Sequence, residues 1–430
     1  MSEQTPKWIQ SGTLNEVEFC QDLLKERRII WSNGSFFTEE GKLNSEDTIR
    51  KDIFSRISPY ITSRVSTRVE HILSTLRLMA QEEFDGRQEL VIHTANGAYN
   101  LAQEEFYPIK VCCRYRLPVA YNPNAPRPEL WLKFLEELLD EEDIPTLQEY
   151  LGYCLLPITY GQKMLMIIGQ GGEGKSRIGV VMKALLGDNM NQGSIAKVET
   201  SPFARADLEN ALLMVDDDLK MEALNQTHHL KSIITAEVPM DLERKGIQSY
   251  QGRLNVRFLA FGNGNLQALH DRSYGFFRRQ IILQTRPRPD NRVDDPYLGK
   301  RLAKEAEGIF LWCLEGLKRL IENDFQFTIS FRANGNLFQS MVDSNNILEF
   351  MASDGYFRYD EEGTVSSRKL YGLYLEWCDD NAVTPLSGRS FWSYLCQHAG
   401  DYQLQYSNAI PIGNGKRVRG FHGIRPLPGM

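Results

Sequence analysis

The sequence lacks three features: a long hydrophobic run, a C-x-x-C cysteine pair and an excess of positive charge. A membrane-spanning helix needs roughly 20 consecutive apolar residues, and no segment approaches that length. The amino-terminal segment MSEQTPKWIQ is polar, which excludes a secretory signal peptide. The seven cysteines are scattered, and their odd number does not favour a disulfide framework. We therefore expect a soluble cytoplasmic protein with reduced thiols and no membrane partner.

The charge balance excludes a generally cationic protein but leaves nucleic acid open as a partner. The net charge is −7 and the isoelectric point is about 5.7, unlike a histone-like protein. A local basic patch can still bind phosphates on an acidic chain. With 430 residues, of which 42% are hydrophobic, the chain is long enough to bury a complete α/β core.

The patterns along the chain divide it into four regions. A mixed first region is followed by a proline-rich linker and by helical patterns. Next come short apolar runs, typical of buried strands in a parallel sheet, at residues 164–168, 211–215 and 256–261. The expected regions are a mixed α/β lead-in at 1–125, a helical segment at 126–160, an α/β core at 161–325 and a smaller unit at 326–430.

A glycine-rich segment directly follows the first apolar run. Residues 169–176, Gly-Gln-Gly-Gly-Glu-Gly-Lys-Ser, match the pattern G-x-x-x-x-G-K-[ST] of a phosphate-binding loop. Glycines let backbone N–H groups surround phosphates, and the following helix directs its positive end at them. We expect Lys175 to neutralise the β- and γ-phosphates of ATP and the Ser176 hydroxyl to ligate Mg²⁺. The expected nucleotide-binding residues are Gly169, Gln170, Gly171, Gly172, Glu173, Gly174, Lys175, Ser176 and Arg177.

Three aspartates, at positions 216–218, end the second apolar run. A carboxylate at the end of a neighbouring strand can hold Mg²⁺ through water, and the next one can orient and deprotonate the attacking water. We assign Asp216 to the metal and Asp217 to the base, while Asp218 is also consistent with a solvated turn.

Polar residues also follow the third apolar run. The amide of Asn263, or alternatively that of Asn265, is placed to sense the γ-phosphate and position the water. Further on, Arg278 and Arg279 follow a pair of phenylalanines. Arginine suits bidentate phosphate contact and can act across a subunit boundary, so both are candidate catalytic residues.

In this order the motifs resemble those of the superfamily 3 helicases, and within them the phage and plasmid primase–helicase group related to the poxvirus primase–helicase ATPase. Residues 169–176 match the Walker A loop, 212–217 the Walker B strand and 258–263 motif C. Residues 93–101 and 147–156 resemble the family's lead-in domain and collar helices. The resemblance covers most of the chain.

The resemblance implies an AAA+-like P-loop ATPase core in a ring, expected to be a hexamer, that uses ATP hydrolysis to move along and unwind DNA during replication of a phage or mobile element. Residues 277–279 resemble the segment that carries an arginine finger. Residues 230–245 resemble a hairpin that faces the central channel, which implies DNA contact by Lys245, with Arg244 and Lys231 as further candidates. The roles of the three aspartates stay open, because many relatives carry a single glutamate there.

Upstream of the core we find no zinc-type cysteine cluster and no catalytic carboxylate pair. Priming activity is therefore not expected, and a separate primase or polymerase would be a partner.

The last region has the outline of a winged helix. A capped amphipathic helix at 366–378 precedes a second helix from Ser387, and a hairpin is expected around residues 413–415. The second helix can enter a DNA groove while cations on the wing contact phosphates, although winged helices also bind proteins. The candidate DNA-binding residues are Arg389, Lys416, Arg417 and Arg419.

Two other functions remain open. A small-molecule kinase would share the glycine-rich segment and the acidic strand, but would give the hairpin and the winged helix no purpose. An ATP-regulated replication initiator or loader, with weak or no unwinding, would keep the DNA contacts. The intact lysine, serine and acidic pair favour an enzyme over an initiator with a vestigial ATP site.

Overall fold

The computed structural model describes residues 6–10, 13–43, 45–84, 90–219, 227–263, 274–289, 293–412 and 416–427. The chain divides into two compact units, and the boundary follows residue 336. The described residues of the regions expected at 1–125, 126–160 and 161–325 thus belong to one unit. Within the described ranges, no helix is both long and apolar enough to cross a bilayer.

The elements of the first unit alternate between helices and short strands. Its first half contains β1 (Ile9–Gln10), β2 (Thr13–Leu14), α1 (Glu16–Glu26), β3 (Ile30–Ser32), β4 (Ser35–Thr38), β5 (Gly41–Lys42), α2 (Asp47–Ile57), α3 (Val65–Met79), β6 (Val91–Thr94), β7 (Gly97–Asn100), β8 (Glu105–Tyr107), α4 (Glu129–Leu138) and α5 (Ile144–Tyr153). Its second half contains β9 (Met164–Ile168), α6 (Arg177–Leu186), β10 (Met190–Gln192), α7 (Ile195–Thr200), α8 (Pro202–Ala206), β11 (Leu213–Leu219), α9 (His228–Thr235), β12 (Met240–Arg244), β13 (Ile247–Gly252), β14 (Arg257–Gly262), α10 (Tyr274–Phe277), β15 (Gln280–Gln284), α11 (Leu298–Ala303) and α12 (Ala306–Glu322). Helix α13 (Phe331–Ser344) crosses the boundary between the units.

The amino-terminal part holds small antiparallel sheets, β1–β2, β3–β5 and β6–β8, beside helices α1 to α3. The β3–β4 turn is made by Asn33 and Gly34, which both have positive φ, 48° and 72°. Two successive positive φ values define the hairpin turn for which Asn-Gly is the preferred sequence.

The core is a parallel sheet in the order β10-β11-β14-β9-β15. Apolar side chains of these strands share one buried cluster with α6, where Ile178 and Val181 are fully buried. A parallel sheet with both faces covered requires strands that are apolar throughout, which is what β9 provides. The prediction of a mixed α/β chain with a central parallel sheet is confirmed.

A separate antiparallel hairpin, β12–β13, connects β11 to β14 along the chain. Lys245 and Gly246 form its turn, and the φ of Gly246 is 75°. A hairpin at this position is what the resemblance led us to expect.

Two glycines bring α5 and α12 into close contact. A Cβ at Gly152 would lie 2.2 Å from the Cys313 carbonyl oxygen, and one at Gly316 would lie 2.5 Å from the Gln148 carbonyl oxygen. Both distances are far inside normal contact, so only glycine fits. Beside them, Arg319 Nε donates to Glu149 Oε1 at 2.6 Å.

A buried arginine links the end of α5 to the sheet through hydrogen bonds. Arg257, the first residue of β14, is 2% exposed. Its guanidinium donates to the carbonyl oxygens of Ile158 at 2.9 Å, of Cys154 at 3.3 Å and of Leu156. These carbonyls follow the last turn of the helix, where they have no intrahelical donor, so the arginine satisfies them.

The second unit contains α14 (Ile347–Ala352), β16 (Phe357–Ser366), α15 (Ser367–Asp380), α16 (Gly388–Gln397), β17 (Gln405–Ile412) and β18 (Lys416–Pro426). Its sheet is antiparallel in the order β16-β18-β17. Ser366 and Ser387 cap α15 and α16 by accepting the N–H groups of Lys369 and Ser390, each at 3.2 Å. Both helices and the hairpin strands agree with the sequence pattern, whereas β16 was not expected. Residues 413–415, where the hairpin turn was predicted, lie outside the described ranges.

We predict that Gly152→Ala lowers the free energy of unfolding by about 2 kcal/mol, because the new methyl group forces α5 and α12 apart. The matched control is Gly335→Ala in α13, where a Cβ meets no atom within 4 Å. That change should leave stability unchanged or raise it by about 0.5–1 kcal/mol. Urea unfolding of both variants measures the difference, and equal midpoints would contradict the close contact.

Candidate functional site

Three chain segments meet at the carboxyl edge of the sheet. Strand β9 is hydrogen-bonded to β14 on one side and to β15 on the other, and Ile168 is aligned with Gly262 and Gln284. The next residues of the three strands, Gly169, Asn263 and Thr285, therefore leave the sheet side by side. In open α/β sheets, ligands bind outside the carboxyl ends of the strands, which is where these three residues lie.

The glycine loop, residues 169–176, has a backbone that only glycine adopts easily. Gly171, Gly172 and Gly174 have φ values of 108°, 81° and 98°. A Cβ at Gly169 would stand 2.2 Å from Thr285 Oγ1. Helix α6 begins directly after Ser176, so its first N–H groups point towards the loop. The loop therefore has the backbone freedom and the electrostatic field that an anion site needs.

Two buried charges face each other inside the loop. Glu173 is 2% exposed and Lys175 is 7% exposed. Glu173 Oε2 accepts from Lys175 Nζ at 3.0 Å, and its Oε1 accepts the N–H of Gly171 at 2.8 Å. Lys175 Nζ also lies 3.5 Å from Asn263 Oδ1. The structure thus brings together the predicted lysine and the predicted sensor amide, and adds a carboxylate. Asn265 lies outside the described residues.

The protonation of Glu173 follows from these contacts. Burial alone would raise its pKa, but hydrogen bonds from Lys175 and from the Gly171 N–H outweigh burial and hold the pKa below its usual value. Glu173 is therefore a full anion at neutral pH.

The aspartates at the end of β11 are in different environments. Asp216 is buried, and its Oδ2 accepts the N–H of Ile195 at 2.8 Å. Burial raises the pKa of this carboxyl above its usual value. Asp217 and Asp218 are exposed, and the strand register shifts directly after Asp216. Asp216 is thus already engaged with backbone, whereas Asp217 is open to solvent.

The two candidate arginines lie at the opposite edge of the sheet. Arg279 precedes β15, and its carbonyl oxygen accepts the N–H of Met164, the first residue of β9. The glycine loop follows the last residue of that strand, about 16 Å away at roughly 3.3 Å per residue. Arg278 is exposed, while Arg279 is half-buried and its guanidinium donates to the Gly275 carbonyl oxygen. The structure does not bring these arginines to the loop of their own chain.

The three candidates in and before the hairpin differ in exposure. Lys245 is exposed at its turn, and Lys231 is half-buried on α9. Arg244 Nη2 contacts the buried Glu209 carboxylate at 2.5 Å, and Arg244 Nη1 donates to the Asn33 carbonyl oxygen at 3.3 Å. Arg244 therefore ties the hairpin to its own chain, and Lys245 is the candidate whose charge is presented to solvent.

The four candidates of the second unit are all exposed. Arg389 lies in the first turn of α16. Lys416, Arg417 and Arg419 lie on β18, where Arg417 and Arg419 are two positions apart and so share one face of the strand.

Two residues beside the loop were not predicted from the sequence. Thr285 Oγ1 is buried without a hydrogen-bond partner among the described residues, next to Gly169. Arg288 Nη1 lies 3.1 Å from the position that a Cβ of Gly172 would take. Both come after β15, whose apolar run Ile281–Leu283 is the signal that would have placed them at this edge.

Two family models match parts of the chain. The model described as D5 N terminal like matches residues 3–140. A model described only as a family of unknown function, DUF5906, matches residues 167–279, which include the glycine loop, the aspartates and both arginines. Comparison with curated proteins gives no match.

Solved structures of similar fold include three apo structures of the NrS-1 C terminal region. The TM-scores are 0.54, 0.51 and 0.52, with 10%, 11% and 11% sequence identity. Each comparison covers 95% of this chain and 99% of the other. At such identity the likeness concerns the fold, and it extends over nearly the full length of both chains.

We predict that Arg244→Ala lowers the free energy of unfolding by about 2 kcal/mol, because the Glu209 carboxylate would be left buried without its cation. Lys245→Ala, the adjacent control, should change stability by no more than about 0.5 kcal/mol. Thermal or urea unfolding tests the pair, and equal stability of the two variants would argue against a structural role for Arg244.

Proposed function

We propose that this chain is an ATP-dependent DNA helicase of the superfamily 3 type, which acts as a ring, expected to be a hexamer, in replication of a phage or mobile element. One observation carries the proposal: the ammonium group of Lys175, the N–H groups of the glycine loop and the amide of Asn263 converge at one sheet edge. Donors in this arrangement suit the phosphates of a nucleoside triphosphate.

The loop residues fit ATP and Mg²⁺. The Glu173 carboxylate accepts hydrogen bonds from the Gly171 N–H and from Lys175, donors that phosphate oxygens would use, and this supports an anion site. Ser176 and an aspartate of β11 would hold Mg²⁺, which neutralises charge on the phosphates when bound. We assign the metal to Asp216 and the base to Asp217, and the exposure of Asp217 suits contact with water.

Catalysis by Arg278 or Arg279 requires a second subunit. These residues lie at the amino edge of the sheet, so they cannot reach the loop of their own chain across the length of β9. An arginine supplied by a neighbour would stabilise charge on the transferred phosphoryl group. This supports an assembly in which each subunit completes the site of the next.

The DNA contacts proposed for this motor use exposed cations. Lys245 at the hairpin turn is the first candidate for the channel, while Lys231 is second to it because it is half-buried. The match of residues 3–140 to the D5 N terminal like model agrees with the lead-in domain that the resemblance implied. In the second unit, two helices and an antiparallel sheet support a winged helix, with Arg389 and the β18 cations as contacts to DNA or to a partner protein.

Strand displacement on forked DNA with ATP and Mg²⁺ tests the proposal. Wild-type protein should unwind, and DNA should stimulate its ATP hydrolysis. Lys175→Ala and Asp217→Asn should lower hydrolysis at least about 100-fold, since each removes a group needed in the transition state. Lys245→Ala should keep basal hydrolysis and lose unwinding.

The other outcomes distinguish the alternatives. Hydrolysis without stimulation by DNA would favour a small-molecule kinase. DNA binding that depends on ATP but produces no unwinding would favour an initiator or loader. Hydrolysis by Lys175→Ala at the wild-type rate would contradict the enzymatic proposal altogether.

Mixing two inactive variants tests the arginine that acts in trans. Arg278→Ala and Lys175→Ala should each be inactive. A 1:1 mixture should regain about a quarter of the wild-type ATPase rate, because about one interface in four of a randomly assembled ring joins an intact Lys175 to an intact Arg278. Particle size measured alongside reports ring formation. A ring of Arg278→Ala with full activity would refute this assignment, and Arg279 would be tested next.

A further inference from the structure

We infer that Glu173 is an internal competitor for the phosphate seat, by which we mean the Gly171 N–H and the Lys175 ammonium. Its carboxylate binds both of these donors, and it must release the Gly171 N–H before a phosphate oxygen can bind there. The inference rests on the proposed function only in taking the glycine loop as a site for triphosphate.

The contacts of Glu173 are those expected of a bound phosphate. One carboxylate oxygen takes the N–H of Gly171, and the other takes the Lys175 ammonium. Backbone N–H groups and this lysine are the two kinds of donor that a phosphate-binding loop offers. The N–H of Gly171 has one hydrogen to donate, so a phosphate oxygen has to displace the carboxylate there, whereas the Lys175 ammonium has three donors and can bind both anions.

Burial shows that the contact is specific. Glutamate is almost never fully buried unless it is paired, yet this side chain is 2% exposed on a loop at the edge of the sheet. An outward-pointing Glu173 would regain water, so its inward position depends on the loop donors. Pairing also gives the buried ammonium group of Lys175 an anionic partner, and Gly171, whose N–H binds the other carboxylate oxygen, has a positive φ of 108°.

Competition of this kind has a definite effect on binding. If the carboxylate holds the seat for most of the time, the apparent dissociation constant rises by the inverse of the fraction of molecules with an open seat. The carboxylate would also return to the seat as phosphate leaves, which favours release of products. The Glu173 side chain would therefore set the affinity of the loop for its ligand, while the Glu173 backbone forms part of the loop.

Binding of inorganic tripolyphosphate to the full chain, without Mg²⁺, tests the inference by calorimetry. Glu173→Gln keeps the size of the side chain and removes its charge, so it should bind about tenfold more tightly than wild type. Glu173→Ala should also bind more tightly than wild type, and it provides a second variant in case Glu173→Gln does not fold. Lys175→Ala should not bind measurably.

The matched control is Asp188→Asn. Asp188 is an exposed carboxylate beyond the far end of α6, so its removal changes the net charge equally without touching the loop. Its affinity should stay within about twofold of wild type, because exposed charges at that distance are screened. Equal affinity of both Glu173 variants and wild type would overturn the inference, and so would a complete lack of binding by folded wild type.

The test separates the inference from the proposed function. Tripolyphosphate binding measures only the affinity of the glycine loop for phosphate, whereas ATP hydrolysis and strand displacement measure helicase activity. If the Glu173 variants bind tripolyphosphate more tightly but the protein does not unwind DNA, the inference about Glu173 stands and the helicase proposal fails. If wild type unwinds DNA but the Glu173 variants bind tripolyphosphate with the affinity of wild type, the helicase proposal stands and the inference about Glu173 fails.

Discussion

Parallel pairing of β9 with β14 and β15 determines where each candidate residue can act. Because the three strands run in the same direction and in register, the residues after their carboxyl ends share one edge of the sheet, and the residues before their amino ends share the other. The glycine loop, Asn263 and Thr285 share the first edge, while Arg278 and Arg279 occupy the second. In the helicase that we propose, a single chain would therefore carry two halves of a catalytic site, separated by the length of a strand.

Buried charges secure the segments around this sheet. Three of these charges have specific partners: Lys175 with Glu173, Glu209 with Arg244, and Arg257 with carbonyl groups after α5. An unpaired buried charge would be strongly unfavourable, so each of these contacts favours one arrangement of the loop, the hairpin or the end of α5. These partners also explain why charge alone does not identify a functional residue, since Arg244 and Lys245 are neighbours with different surroundings.

The sequence predicted the parts of the fold that have strong local signals. The apolar run at 164–168 coincides with β9, and α15 and α16 begin where the pattern indicated. Strand β10 was missed because it has three residues and a single apolar one, and β15 was missed because its apolar run, Ile281–Leu283, is shorter than that of β9. The β16 strand was missed because its many charged residues hide its pairing with β18.

Only the motif residues of the candidate site could be predicted from the sequence. A motif treats Glu173 as a variable position, so its inward side chain could not be read from the pattern. Likewise, Glu209 is 35 positions from Arg244 in sequence, and only the fold brings the pair together. Residues that act through distant partners need the tertiary structure, whereas the loop with its lysine is recognisable from spacing alone.

The contact between α5 and α12 has a mechanical consequence. Two backbones that meet at Gly152 and Gly316, without side chains between them, leave no compressible layer along which the helices could slide. Arg257 binds the end of the same helix to β14, and that strand leads to Asn263. We therefore expect α5, α12 and β14 to move as one body, with any bending left to the loops.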